Sequence, residues 1–131
     1  VYKRQVEPCR SEFTNKVAKK IKNMKMGDPL DPTVDIGPMV NVSARYELHQ
    51  QVITSLDKGA VLVAGGIIPQ SPGSFYPPTL LVDVAPGMPA FDDELFGPVA
   101  VIIAAKDEYQ ALELAKIKKW EPDEEAIAAV A

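Results

Sequence analysis

The chain has 131 residues, which suits one domain or a piece of a larger one. Its composition, 47% hydrophobic and 24% charged, is that of an ordinary globular protein, and its formal net charge of -4 argues against a general nucleic-acid binder, which would be basic. The single cysteine, Cys9, excludes an internal disulfide framework and a multi-cysteine metal site, and it fits a cytoplasmic setting. No apolar run in the sequence is long enough to predict a membrane span.

A first helix is predicted over residues 8–24. Its apolar residues recur at i, i+4, i+8 and i+11 and form one stripe: Phe13, Val17, Ile21 and Met24. The other side carries lysines that predict a solvated face rather than an anion-binding patch: Lys16, Lys19, Lys20 and Lys22. Pro8 suits the first turn, and Gly27 suits a C-terminal cap. Cys9 precedes Phe13 by four residues, so we expect a packed, inert thiol rather than a nucleophile.

Residues 26–40 predict an ordered loop with several turns, since proline, glycine and aspartate are frequent there. The three aspartates do not follow the calcium-loop pattern and are interpreted as turn and cap residues: Asp28, Asp31 and Asp35.

A second helix is predicted over residues 43–57, with an apolar stripe that contains Leu48, Val52 and Leu56. Asn41 and Ser43 are both suitable N-caps, and Gly59 is expected to end the helix. The only histidine, His49, lies one position off the stripe. A lone helical histidine predicts neither a metal site nor an acid–base partner.

Three apolar segments predict strands, at residues 60–64, 79–84 and 99–105. Gly65 and Gly66 after the first of them predict a turn rather than a phosphate-binding loop, because no helix follows. Residues 91–95 predict a short helical turn. Asp107 and Gln110 have capping-box spacing and open a last helix with inward-facing residues: Ala111, Leu112 and Ala115. Continuous apolar strands among helices predict the α/β class, with a mostly parallel sheet flanked by helices.

The most informative stretch is Glu94-Leu95-Phe96-Gly97-Pro98-Val99. Residues at i and i+2 on an extended backbone point in roughly the same direction, so Glu94 and Phe96 face the same side. The carboxylate accepts hydrogen bonds from ligand hydroxyls, and the ring packs against a flat ligand. The alternative from the same residues is a surface glutamate and a core phenylalanine beside a turn.

Several motifs follow one another along the chain: Gly27-Asp28-Pro29-Leu30-Asp31-Pro32, Asp35-Ile36-Gly37-Pro38, Lys58-Gly59-Ala60, Gly65-Gly66, Phe75-Tyr76-Pro77-Pro78-Thr79 and Glu94-Leu95-Phe96-Gly97-Pro98-Val99. This series resembles the catalytic domain of the NAD(P)-dependent aldehyde dehydrogenase superfamily over residues 7–115. Residues 44–51 look most like the succinate-semialdehyde dehydrogenase branch.

The resemblance implies an oxidoreductase in which a cysteine thiolate attacks an aldehyde, hydride passes to NAD or NADP, and water hydrolyses the thioester to a carboxylic acid. By resemblance, Glu94 matches the glutamate that binds the nicotinamide ribose hydroxyls, and Phe96 matches the aromatic residue near that end of the cofactor. A small aldehyde substrate is implied, with succinate semialdehyde as the candidate. A homo-oligomer, either a dimer or a tetramer, is implied as well.

The family's nucleophile and general base lie upstream of the helix predicted over residues 8–24, so no catalytic or metal-binding residue is assigned here. Residues 1–5 match nothing in the family and are interpreted as a non-native leader, residues 6–115 as a partial catalytic domain and residues 116–131 as a divergent tail. We expect a fragment that is inactive by itself.

Two rival function classes stay open from the residues. A non-catalytic α/β binding or assembly module predicts a cooperative melt and a defined ligand or oligomer for this chain alone. A nucleic-acid binder would use the lysine face of the first helix, and salt-insensitive or absent DNA binding would exclude it.

Overall fold

The structure is a computed structural model and describes residues 2–117. Within this range the chain forms four strands and four helices in a fixed order: β1 (Tyr2–Val6), α1 (Glu7–Lys22), α2 (Val42–Asp57), β2 (Val61–Ala64), β3 (Thr79–Val82), α3 (Pro89–Asp92), β4 (Val99–Ala105) and α4 (Glu108–Ile117). The strand predicted over residues 99–105 has the predicted bounds. The other predicted elements are also present, with ends that differ by a few residues.

The four strands form one sheet in the order β1-β4-β3-β2. β4 lies between β1 and β3 and runs parallel to both, with Val101 opposite Tyr2 on one side and Leu81 on the other. β2 pairs antiparallel with β3 at the sheet edge. The prediction of a mostly parallel α/β sheet is therefore confirmed.

Alternate residues of each strand point to opposite faces of the sheet, and each face has its own core. On one face, Leu80 and Ile102 pack with the apolar stripe of α1, as that stripe predicted. On the other face, Leu81 and Val101 pack with α2 and with Phe91 of α3. The helices α1 and α2 consequently lie on opposite faces, and burying each large apolar side chain contributes about 1.5–3 kcal/mol.

The strand β1 was not predicted, because its sequence is mostly polar. Residues 2–6 nevertheless pair with residues 101–105 of β4, and this pairing uses the main chain, which a hydrophobicity pattern does not report. The interpretation of residues 1–5 as a non-native leader stays a prediction. Most of the divergent tail predicted over residues 116–131 lies outside the described residues.

Cys9 was expected at the buried edge of α1, and this was wrong because its side chain is exposed. Each four-residue step along a helix rotates the position by about 40°. Moving back from Phe13 to Cys9 therefore carries the side chain away from the buried edge, which the buried Ala18 marks on the opposite side of the stripe.

Two further details differ from prediction. Gly27 does not cap α1, which ends at Lys22; its N–H instead bonds the Ile36 carbonyl oxygen at 3.0 Å within the following loop. Leu112 of α4 is 56% exposed, whereas Leu114 packs against the core. Residues two apart on a helix point about 200° away from each other, so only one of these two leucines can face inward.

The predicted caps and turns are present. Asn41 caps α2, since its Oδ1 accepts from the Ala44 N–H at 2.8 Å. The three loop aspartates each accept a main-chain N–H, from residues 30, 33 and 25 respectively: Asp28, Asp31 and Asp35. The backbone hydrogen bond from Thr33 lowers the pKa of Asp31. Asp107 caps α4 through the Gln110 N–H at 2.8 Å.

Gly65 and Gly66 turn the chain after β2, as predicted, and both have positive φ. A Cβ at Gly65 would lie 2.2 Å from the Pro78 carbonyl oxygen, so only glycine fits there. The Gly66 N–H donates to Thr79 Oγ1 at 2.9 Å. The two glycines thus hold β2 against β3.

Candidate functional site

A cleft of about 520 Å³ lies between α2 and the loop that leads into β4. The opposite side includes Glu94 and Phe96, and α2 forms the other wall through six residues: Ala44, Tyr46, Glu47, Leu48, Gln50 and Gln51. Val40, which is 86% exposed, lies at its rim. The structure therefore brings the two residues singled out in the sequence to one concave surface.

Glu94 and Phe96 line this cleft together, while Leu95 between them packs against the core. This is the alternation expected of an extended backbone. The phenylalanine ring is 72% exposed, so the alternative of a core phenylalanine is wrong. An exposed carboxylate and an exposed ring beside each other can accept hydrogen bonds and pack against a flat group at the same time.

The loop that carries these residues is held close to α2 at Gly97. A Cβ added to Gly97 would lie 2.4 Å from Leu48 Cδ2 and 3.3 Å from Met39 Cε, so a side chain has no room there. The Pro98 carbonyl oxygen accepts from the Thr79 N–H at 2.8 Å and joins the loop to β3. The loop is thus held by α2 on one side and by β3 on the other.

The α2 wall contains polar residues that no sequence motif assigned to a site: Tyr46, Glu47, Gln50 and Gln51. The apolar stripe of α2 predicts its buried side, and the polar side of an amphipathic helix normally predicts contact with water. One sequence signal distinguishes a cleft wall from a solvated face: Tyr46, an aromatic residue, lies on the polar side of α2. In the structure its side chain is 59% exposed.

The charges of the cleft suit hydroxyl groups rather than phosphates. Among its lining residues, Glu47 and Glu94 carry carboxylates and none is a lysine or arginine. The Ser43 hydroxyl donates to Glu47 Oε1 at 3.3 Å. A ligand that donates hydrogen bonds is therefore favoured, whereas an anion would be repelled.

His49 has a structural partner that the sequence did not reveal. Its Nδ1 lies 3.2 Å from the hydroxyl of Tyr76, and the two rings meet edge to face with centroids 5.9 Å apart. Burial raises the pKa of Tyr76 to about 12. The pair joins α2 to the loop before β3 and neither residue is among those that line the cleft.

Within residues 2–117, no cluster of three or more His, Cys, Asp or Glu side chains is arranged to hold a metal ion. No helix in the same range is long and apolar enough to cross a membrane.

Residues 6–118 match the model of the aldehyde dehydrogenase family. A succinate-semialdehyde dehydrogenase (NADP(+)) of Deinococcus radiodurans is 43% identical over 115 residues, which cover 88% of this chain and 24% of that protein. A succinate semialdehyde dehydrogenase (NAD(P)+) of Escherichia coli is 47% identical over 109 residues, 83% of this chain and 24% of that protein.

A solved structure shows the same architecture. A succinic semialdehyde dehydrogenase from Streptococcus pyogenes, in complex with NADP+ as the cofactor, superposes with a TM-score of 0.86 over 98% of this chain and 30% of that chain, at 28% identity. The present chain therefore spans about a quarter of the length of the curated relatives it matches. Sequence and structure agree that the chain belongs to the aldehyde dehydrogenase family.

Proposed function

We propose that this chain is part of an NAD(P)-dependent aldehyde dehydrogenase and forms the surface that holds the nicotinamide end of the cofactor. The observation that carries the proposal is that Glu94 and Phe96 lie side by side in one cleft. The names of the relatives, which include NADP(+) and NAD(P)+ enzymes, support the choice of cofactor.

The residues of the cleft fit this group. A ribose presents two neighbouring hydroxyls, and the two oxygens of the Glu94 carboxylate can accept a hydrogen bond from each. A nicotinamide ring is flat and partly apolar, and the exposed face of Phe96 offers a matching surface. The cofactor, when bound, accepts the hydride that oxidation of an aldehyde releases.

Within this mechanism, the chain contributes position rather than bond making. Glu94 and Phe96 fix where the nicotinamide ring lies, and a reacting pair held in contact gains much of its rate from that placement. The main chain at Gly97 keeps both residues at a fixed distance from α2.

The nucleophilic cysteine of the proposed reaction lies outside the described residues. Cys9, the only cysteine of the chain, is on α1, and α1 packs against the face of the sheet opposite α2 and the cleft. An exposed thiol on that side does not reach a group bound beside Glu94. Cys9 is therefore excluded from the nucleophile's role in this proposal.

We also propose the substrate and assembly by likeness to the relatives. Their printed names specify succinate semialdehyde, a small aldehyde that carries a carboxylate. The residues that line the cleft beside Glu94 include no lysine or arginine, so we propose that the carboxylate of the substrate binds elsewhere. A dimer or tetramer in the cytoplasm is the assembly proposed for the full-length protein.

The test uses the full-length protein that carries this segment. Glu94→Gln keeps the size of the side chain and removes its charge. We expect the Kd for NAD(P)+ to rise tenfold or more, with a slower turnover, since hydrogen bonds to charged groups contribute about 1.5–3 kcal/mol. Glu12→Gln on α1 is the matched control, because Glu12 is exposed on the other face of the sheet. An unchanged Kd and kcat in Glu94→Gln would remove Glu94 from the site.

A second test addresses the chain by itself. Residues 1–131 alone should show no NAD(P)-dependent aldehyde oxidation above buffer, because the proposed reaction needs a nucleophile that this chain does not supply. Activity that survives purification and depends on cofactor would contradict the assignment of the nucleophile.

A further inference from the structure

The helix α2 holds the segment that precedes β4 at regularly spaced points. Near its C-terminal end, the buried Ser55 Oγ accepts from the Ala90 N–H at 2.8 Å. Near its middle, Leu48 lies against Gly97 so closely that no side chain fits between them. Positions 48 and 55 are seven residues apart, two turns of a helix, and so lie on one face of α2.

The third point of this face is Gln51, which lies between the other two. Its Nε2 donates to the main-chain carbonyl oxygen of Glu94 at 3.4 Å, across 43 positions of sequence. Gln51 is half-buried, and it lines the same cleft as the Glu94 carboxylate. The amide therefore holds the backbone of the residue whose side chain faces the ligand.

We propose that Gln51 is a positioning residue that sets the direction of the Glu94 carboxylate toward the cofactor ribose. This inference rests on the proposed function of Glu94. A residue in an exposed loop has freedom about its main-chain dihedrals, and a hydrogen bond to its carbonyl oxygen removes part of that freedom before the ligand binds. Gln51 thus raises affinity by reducing the ordering cost of binding.

The test measures whether Gln51 acts through Glu94. Gln51→Met in the full-length protein keeps the length of the side chain and removes the donor, and the KM for NAD(P)+ should rise about two- to tenfold, the effect of one neutral hydrogen bond. Gln51→Asn has a donor that is too short to reach the carbonyl oxygen and should give the same loss. Gln70→Met, on an exposed loop, is the matched control and should leave KM unchanged.

The decisive comparison is made in the Glu94→Gln background. If Gln51 works by orienting the carboxylate, Gln51→Met should add little to the KM of that variant, because the oriented group is already weakened. Full multiplication of the two effects would overturn the proposal, since it would mean that Gln51 acts independently of Glu94.

The failure of this inference is distinguishable from failure of the proposed function. An unchanged cofactor KM in both Gln51 variants, with a raised KM in Glu94→Gln, refutes the positioning role and leaves the cofactor site in place. An unchanged KM in all of these variants refutes both.

Discussion

Gly97→Ala should destabilise the protein and displace the loop that carries Glu94. The added Cβ would lie 2.4 Å from Leu48 Cδ2, which is more than about 1 Å short of the 3.5–4.0 Å at which carbon atoms pack. Leu48 is only 2% exposed and packs in the core, so moving it aside disturbs its core contacts. Overpacking of this kind costs about 1–3 kcal/mol.

The assay is thermal unfolding of the full-length protein, with the KM for NAD(P)+ measured on the same samples. Gly37→Ala is the matched control, because its nearest neighbour is Pro29 Cβ at 3.5 Å, an ordinary contact distance. Gly97→Ala should lower the unfolding midpoint and raise KM, whereas Gly37→Ala should do neither. Equal midpoints for the two variants would refute the steric argument.

A compensating change sharpens the same prediction. Leu48→Val shortens the side chain and removes the Cδ2 atom that the new Cβ would strike. In that background Gly97→Ala should cost less than it does alone, a non-additivity expected only of residues in contact. Strict additivity would show that Gly97 is required for another reason.

Two further predictions concern α2 and its partners. Asn41→Ala removes the side-chain cap of α2 and should cost about 1 kcal/mol of stability in thermal or urea unfolding. Ser43→Ala should cost no more than a few tenths of a kcal/mol. Equal losses in the two variants would contradict the assignment of Asn41 as the cap. The Tyr76 pKa is raised from 10.0 to about 12, so the stability that comes from burying its neutral phenol is complete below pH 10 and is lost as pH rises toward 12. Tyr76→Phe should therefore lose less stability across that window, and identical pH slopes in the two proteins would contradict the burial of the phenol.

The fold was largely predictable because its strongest signals are local. β4 is a continuous apolar run, and its predicted bounds were correct because a strand buried on both faces has no polar residues to interrupt it. The stripes of α1 and α2 predicted which sides face the sheet. Asp107 was predictable as a cap, and Asn41 as one of two candidates with Ser43, because the capping geometry involves residues only three positions apart.

The rest depends on contacts between distant segments. β1 pairs with β4 through main-chain groups that every residue carries, so no side-chain pattern predicts this strand. The cleft needs α2 and the loop before β4 to meet, and the contact from Gln51 to Glu94 joins residues 43 positions apart. The sequence predicts that Glu94 and Phe96 face one side, but it does not predict what lies opposite them.

The measurement that tests the central claim most directly is a structure of the full-length protein with NAD(P)+ bound. We expect both hydroxyls of the nicotinamide ribose within hydrogen-bonding distance of the Glu94 carboxylate, at about 2.5–3.0 Å, and the nicotinamide end against the ring of Phe96. A cofactor whose ribose hydroxyls are held by other residues, with Glu94 facing water, would contradict it.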